Sequence, residues 1–377
     1  MQKKLIALAI AGLVSAPAFA QSNVTIYGVA DAYVGFGKHG ENDLRGVNSG
    51  ALSGSRLGFR GTEDLGNGLK AVFVLEQGFN IDEGTEHVEG SAYSRQAFVG
   101  LGGSFGTISL GRQYAPGYFF SYDALAAAAI GPQSVLSNGA GMSITPNNRA
   151  RWNNSVAYTG SFSGLTARVI YSAKNEEVNY KRGTSTPDVY DYANPSSDDA
   201  YGVGLEYANG PLKVGGVYQI VKYSENFELD DTLNWVTENG SKKQKEWGLG
   251  ASYDFGVVSF HASYQSASNL SGWKSYDADL WQVGLVVPVS TAGNVHFAYG
   301  EVEFDNPKGE KDTDVKSYTL AYTHALSKRT TAYVAWNRTD NGKGEELGLV
   351  EYRAKAGDLT PGGENSDLLG VGIRHTF

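Results

Sequence analysis

Between Val24 and Phe377 one pattern recurs: a short segment with apolar side chains at every second position, then a turn, then another such segment. Side chains on a strand alternate faces, so each segment reads as a strand with one apolar face and one polar or small face. The last is "DLLGVGIRHTF". Leu369, Val371, Ile373, His375 and Phe377 fall on one face; Gly370, Gly372, Arg374 and Thr376 fall on the other. The same reading predicts strands at 24–36, 55–62, 69–79, 93–101, 106–112, 151–159, 165–173, 200–208, 212–222, 244–254, 256–266, 279–288, 293–303, 314–323, 330–338 and 367–377. These are about sixteen strands, most near the roughly 9–11 residues that a tilted membrane strand requires.

The connections alternate as well. Tight turns carry turn chemistry, as in "EDLGNG", "GGSF", "GSFSG", "ANGP" and "DFG". Long polar loops lie between them, near 37–54, 80–92, 113–150, 174–199, 223–243, 267–278, 304–313 and 339–366. A soluble sandwich has no reason to gather its long loops at one end, whereas a membrane barrel has short periplasmic turns and long outer loops. The faces agree. In "SRLGFRG", Leu57 and Phe59 oppose Arg56, Gly58 and Arg60; in "LKAVFVLEQGF", Ala71, Phe73, Leu75 and Phe79 oppose Lys70 and Glu76. A charged face that meets water, on a sheet whose backbone groups must all be paired in lipid, predicts a closed all-β barrel with an aqueous lumen. Phe377 then sits at the lower membrane interface, where aromatic girdles anchor barrels.

The chain opens with "MQKKLIALAIAGLVSAPAFAQ". Lys3 and Lys4 precede an apolar run, Leu5 to Val14, and Ala18-Phe19-Ala20 supplies a cleavage site. Residues 1–20 read as a secretory signal peptide and 21–377 as one barrel domain, with no linker texture between Val24 and the end. No other stretch approaches the roughly 20 apolar residues of a membrane helix. There is no cysteine, which excludes disulfides and thiol catalysis. The signal holds two lysines and no acid, so the mature balance is 29 − 40 = −11, which argues against a nucleic-acid partner.

At this point the sequence resembles the trimeric general porins of the Gram-negative outer membrane, in their betaproteobacterial branch. The resemblance is carried by "VTIYGVADAYV", "SRLGFRGTEDLGNGLKAVFVLEQGF", "SRQAFVGLGGSFGTISLGRQY", "RWNNSVAYTG" and the terminal "GIRHTF", in family order from end to end. It implies a 16-stranded antiparallel barrel, a homotrimer, a third long loop folded into the pore, and a terminal aromatic strand read by the barrel-assembly machinery, which makes Phe377 an assembly signal. The partners it implies are outer-membrane lipid, lipopolysaccharide, small hydrophilic solutes and ions, with no cofactor and no metal.

The third long loop, Gln113 to Ala150, is the candidate constriction. It is poor in charge, with Asp123 and Arg149 before Arg151. Asp123 precedes the alanines of "SYDALAAAAIGP", and Gly131-Pro132 is expected to stop a short helix there. Asp123 is thus a helix cap, a constriction carboxylate, or both. By motif matching, Arg56, Arg95 and Arg151 fall on the positions where family members carry a basic ladder opposite the loop. Arg60 and Arg112 have lumenal parity, and Glu76 is a partner for one arginine. Fixed guanidinium groups facing a loop carboxylate set up a transverse field that selects ions without covalent chemistry. The sequence departs from the enteric members, which carry a further pair of acids on this loop, one in a "PEFG" stretch; here the region is alanine-rich and then "IGPQSV". That puts strong cation preference in doubt despite the acidic total.

The expected function is passive diffusion of ions and small hydrophilic solutes across the outer membrane; a substrate-specific channel is the alternative. An enzyme on a barrel is remote: it requires a Ser–His pair or paired carboxylates at an outer face, and none of the six histidines lies in HExxH. Acid clusters such as Asp198-Asp199 and Asp230-Asp231 read as solvated outer faces, with divalent-cation binding at the lipopolysaccharide surface as the lesser reading.

Overall fold

The computed structural model describes residues 23–39, 42–125, 127–147, 150–173, 199–229, 235–305, 313–342 and 365–377. The signal peptide at 1–20, Arg149, and most of the loops at 174–199 and 339–366 lie outside them. The strands are β1 (Asn23–His39), β2 (Asn42–Ser49), β3 (Arg56–Gly66), β4 (Leu69–Asn80), β5 (Thr85–Glu86), β6 (Gln96–Gly103), β7 (Gly106–Tyr114), β8 (Arg151–Phe162), β9 (Leu165–Ala173), β10 (Asp199–Asn209), β11 (Leu212–Leu229), β12 (Trp235–Asp254), β13 (Ser259–Ser268), β14 (Asp277–Pro288), β15 (Gly293–Asp305), β16 (Thr313–Ala325), β17 (Thr330–Asp340) and β18 (Ser366–Thr376). Each staves against the next in antiparallel register, and β18 returns to β1 from Val29↔Thr376 to His39↔Ser366. With β2 and β3 sharing one stave and β5 a short addition to β4, this is a closed 16-stranded barrel.

Closure is completed by the last residue. The Phe377 N–H donates to the Gly28 carbonyl at 3.1 Å and the Gly28 N–H donates to the Phe377 carbonyl at 3.0 Å. The Phe377 ring covers Gly28 so closely that a Cβ there would stand 2.4 Å from it. The tight turns behave as their residues dictate. Asn67 and Gly68 both take positive φ, 52° and 78°, as do Ser163 and Gly164, 49° and 86°. Two consecutive positive φ values match the twist of the flanking strands, which is why Asn-Gly is favoured there.

The alternation seen in the sequence is the alternation of the wall. Val24, Ile26, Val34 and Phe36 on β1, Val99 and Leu101 on β6, Ile108 and Leu110 on β7, and Val371 and Ile373 on β18 are exposed on the outside. Such a continuous apolar band is stable against lipid, where only closed sheets and helices leave no backbone group unpaired.

Two features differ from the sequence expectation, and a third bears on the remote enzyme reading. The segment expected as a loop at 223–243 is mostly strand: β11 and β12 stay paired to Leu229↔Trp235, past a bulge at Tyr223/Glu225. The segment at 37–54 contains β2, and the second stave is split. The lower part of β1 pairs with β3 and its upper part with β2, while residues 50–55 leave the sheet inward. Ala51 packs there against Tyr33, Tyr333, Ala335 and Leu368 of the inner wall. Finally, Gly102–Gly106 reads GGSFG, the spacing of a nucleophile elbow, yet Ser104 and Phe105 form the hairpin turn from β6 to β7; an elbow joins a strand to a helix.

Candidate functional site

The described residues of 115–150 line the inner face of the barrel. They include two short helices, α1 (Pro116–Phe119) and α2 (Pro132–Gly139). Inward side chains of successive strands hold them. The Gly117 N–H donates to Gln219 at 2.7 Å, the Ser143 and Ile144 N–H groups donate to Glu246 at 2.6 and 2.9 Å, and Gln133 Nε2 donates to Gln265 at 2.9 Å. Gln282 Nε2 donates to the Tyr122 carbonyl at 2.7 Å, His296 Nδ1 lies 3.0 Å from the Ala124 carbonyl, and Thr319 Oγ1 donates to the Ile130 carbonyl at 2.5 Å. Each of these strand residues alternates with an exposed aromatic or leucine, such as Tyr218, Trp247, Tyr264, Trp281, Phe297 or Leu320, so the loop lies on the face away from lipid. The inward excursion of the second stave adds a backbone bridge: Ala128 N–H to Leu52 O and Ala129 N–H to Ala51 O, both 3.2 Å. Asp31 anchors that excursion, accepting from the Leu52 and Ser53 N–H groups at 3.0 and 2.8 Å and from the Tyr333 hydroxyl at 2.6 Å.

The other side of the lumen is built from arginine and tyrosine. Glu76, on β4, is buried. It accepts from Arg95 Nε at 2.8 Å, the Tyr27 hydroxyl at 2.9 Å and the Tyr114 hydroxyl at 3.0 Å, with Arg56 Nε at 3.7 Å. Arg95 also donates to the Tyr114 hydroxyl at 2.8 Å. The Tyr114 and Tyr118 rings stack 3.6 Å apart, and the Arg151 guanidinium lies over both, at 5.1 and 5.8 Å. Stacking on aromatic faces suits the flat, weakly hydrated guanidinium, whereas a lysine ammonium would lose both the fork and the stack. The crowding of cations shows in Tyr118: burial alone would raise its phenol, but Arg95, Arg151 and Arg56 together outweigh burial and hold it below the ordinary tyrosine value.

Of the residues singled out by sequence, Arg56, Arg95, Arg151 and Glu76 come together in this wall. Arg60 stands apart, one rung towards the short turns, with its guanidinium 5.1 Å over the Tyr27 ring. Arg112 does not keep the lumenal parity expected of it. The unbroken β6–β7 register sets Arg112 opposite Ala97, two residues on from Leu110 and on the face of Val99 and Leu110. Its guanidinium donates to the Ser94 carbonyl at 2.8 Å and to Asn153 at 2.7 Å. Asp123 is buried and turned to backbone: its carboxylate accepts from the Leu125 N–H at 2.9 Å and the Gln133 N–H at 3.0 Å. The alanine run after it forms no helix among the described residues. Gly131-Pro132 starts α2 instead of ending a helix, because proline at the first helical position lacks only an N–H that would be orphaned there anyway. Asp123 therefore caps α2 from outside it.

Three comparisons set this geometry among known proteins. A family model described as Gram-negative porin matches residues 7–344. The chain belongs to the Gram-negative porin family. Over the full length of both proteins the porin is 33% identical to outer membrane porin protein 32 of Delftia acidovorans and 30% identical to an outer membrane porin protein of Bordetella pertussis. Among solved structures it is similar to the anion-selective porin from Comamonas acidovorans, with 30% identity and a TM-score of 0.72 over 94% of this chain and 100% of that one. The protein is thus an outer-membrane β-barrel protein and a channel protein rather than an enzyme.

Several residues of the porin's inner wall were not singled out by sequence. Tyr27, Tyr114 and Tyr118 carry hydroxyls and rings that order the arginines, yet in a chain with 23 tyrosines nothing in their spacing marks them. Gln133 is fully buried and ties both halves of the loop together: its Oε1 accepts from the Tyr122 N–H at 3.0 Å and its Nε2 donates to the Phe120 carbonyl at 3.1 Å. The one signal for it was a glutamine just behind Gly-Pro in an otherwise apolar loop. Among the described residues no cluster of histidine and carboxylates could hold a metal ion.

Proposed function

We propose that the lumen is a water-filled channel for passive diffusion of ions and small hydrophilic solutes, narrowest between the loop at 115–150 and the wall of Arg56, Arg95 and Arg151, and mildly selective for anions. One observation carries this reading. Three guanidinium groups meet a single carboxylate, Glu76, so the wall has a charge of 3 − 1 = +2, while the loop's Asp123 spends its carboxylate on backbone N–H groups. A unit charge a few ångströms from a passing ion is worth roughly 1–4 kcal/mol in the reduced dielectric of a pore, enough to bias permeation several-fold. The anion selectivity of the Comamonas relative points the same way. Acidic residues in the outer loops act from farther off and are screened first by salt.

Reversal potentials in a salt gradient test the reading. The wild type should favour anions, less so as salt rises, and the double substitution Arg56→Gln/Arg95→Gln should move the potential toward cations. A strongly cation-selective wild type, or an unmoved double variant, would remove these arginines from the selective wall.

Two further readings belong with it: a homotrimeric assembly, as is general in the family, and recognition of the terminal strand by the barrel-assembly machinery. The reciprocal bonds between Phe377 and Gly28 support the second, since the last residue completes the seam. Deleting Phe377 should sharply lower the amount of folded, heat-modifiable trimer in the outer membrane, and normal amounts would refute the role given to this residue.

A further inference from the structure

Towards the short turns, one rung beyond the arginine wall, the inner face changes character. A row of paired positions crosses four strands, Thr25↔Arg60↔Val74↔Phe98. Paired residues share a face, and the adjacent rung Tyr27↔Gly58↔Glu76 faces the lumen, so Arg60, Val74 and Phe98 do too. The next rung adds Thr62↔Val72. At their paired positions on the next strand, Phe98 faces Gly111 and Val72 faces Gly100, so neither has a side-chain neighbour there. Beside them lies a hollow of about 470 Å³ bounded by Thr25, Arg60, Val72, Val74, Phe98 and Thr107.

We propose that this hollow is a binding subsite for small organic anions with an apolar body, aromatic monocarboxylates above all. The proposal rests on the channel reading, and names a class of solute for which the lumen is more than a passage. Arg60 is exposed, is oriented by the Tyr27 ring, and pairs with no carboxylate among the described residues, which leaves its fork for a solute carboxylate. Val72, Val74 and Phe98 supply an apolar seat about one ring wide beside it, and the threonine hydroxyls can bond a second oxygen. β-Branched residues suit any strand, so the valines alone carry nothing. The site is made by an aromatic ring and an open guanidinium on one rung, with the hollow beside them. A carboxylate without an apolar body leaves the seat wet, and an apolar solute without charge leaves the guanidinium unused, so the hollow discriminates in favour of molecules that have both.

The probes are benzoate and acetate at equal concentration and ionic strength, added to the trimer reconstituted in planar bilayers. Benzoate should reduce chloride current saturably and acetate should not. Arg60→Gln and Phe98→Ala, each measured relative to its own chloride conductance, should raise the half-blocking benzoate concentration by about tenfold, as expected for loss of a charge-assisted fork or a ring contact. Val74→Thr, close to isosteric, guards against misfolding of the alanine variant and should weaken block in the same direction. A barrel that conducts chloride but responds alike to benzoate and acetate, or whose benzoate block is unchanged in Arg60→Gln, overturns the subsite and leaves the channel reading intact. A barrel that passes no chloride overturns the channel reading. Saturation-transfer NMR of benzoate on the micellar protein then still decides the subsite: ring signal lost in Phe98→Ala supports it, and ring signal retained refutes it.

Discussion

The two sides of the lumen are both polar, but their polar groups do different work. On the side of β3, β4 and β8, charged side chains meet one another and tyrosines: Arg56 and Arg95 on Glu76, and Arg151 on the Tyr114–Tyr118 stack. On the side of β11 to β17, mostly neutral side chains meet backbone: Gln219, Gln265, Gln282, Thr319 and Asn337 hold the loop by its peptide groups, and the carboxylate of Glu246 is closed by two N–H donors. A buried amide satisfies peptide groups without the desolvation cost of an ion, so it suits an attachment surface. A field across water requires net charge, so the other side keeps more cations than anions. On the function proposed above, one side of the barrel is an adhesive and the other is an electrode.

The comparison breaks most severely at Glu76. Glu76→Gln removes the counter-ion of a nearly fully buried Arg95 and leaves its guanidinium facing Arg151 and Arg56 with no opposing charge. Losing one partner of a buried pair costs about 3–5 kcal/mol. The folded protein should therefore lose its heat resistance at a distinctly lower temperature on gels, and the surviving channels should become more anion-selective. A variant with unchanged melting and unchanged reversal potential would show that the arginines do not depend on this carboxylate.

On the adhesive side the expected effect is smaller and of another kind. Gln265→Leu removes the bond from Gln133 and the 2.9 Å bond from Gln265 Nε2 to the Ile144 carbonyl. Each buried partner left unsatisfied costs about 1–3 kcal/mol. That loosens the loop locally without touching the net charge. Single-channel records should show added open-channel noise and conductance substates at an unchanged reversal potential. A selectivity change as large as that of the arginine variants would mean that the two sides are not separable.

How much of this was legible beforehand follows the same division. Strand positions, faces and closure were readable because alternation is a local property of each segment, and because Phe377 terminates a strand with its apolar parity intact. Arg56, Arg95 and Arg151 were singled out through the resemblance, whose motifs set them on the family's basic positions, and Glu76 as a partner for one of them; that they lie together is what the structure adds. Arg112 misled because its charge was weighed ahead of its position: regular alternation from Ile108 and Leu110 puts it on their face, and the β6–β7 register is unbroken through it. The loop's attachment was not readable: Gln219, Gln265 and Gln282 look like any wetted lumen residue until their partners, more than a hundred positions away, are known. The extended hairpin to Leu229↔Trp235 was missed because its sequence mixes charged residues with Phe227, Leu229, Trp235 and Val236 without the clean alternation of the lipid-spanning segments.

The finest test lies at Asp123, where a charged residue belongs to the adhesive side. Its two oxygens accept from the Leu125 and Gln133 N–H groups, and the second of these opens α2, whose N-terminal end carries a partial positive charge. The carboxylate's field is thereby met close to its source and reaches the water path weakened. Asp123→Asn keeps one acceptor oxygen and the shape of the side chain, so the expected loss is one capping bond, about 0.5–2 kcal/mol. Its readout should be faster proteolysis of the loop near α2, with a shift in reversal potential well below that of Arg56→Gln/Arg95→Gln. The two measurements must be made at the same low ionic strength, since screening at high salt would make any pair of variants look alike. If Asp123→Asn moved the reversal potential as far toward anions as the arginine pair moves it toward cations, the carboxylate would have to face the water path directly, and its two backbone bonds would be incidental to its role.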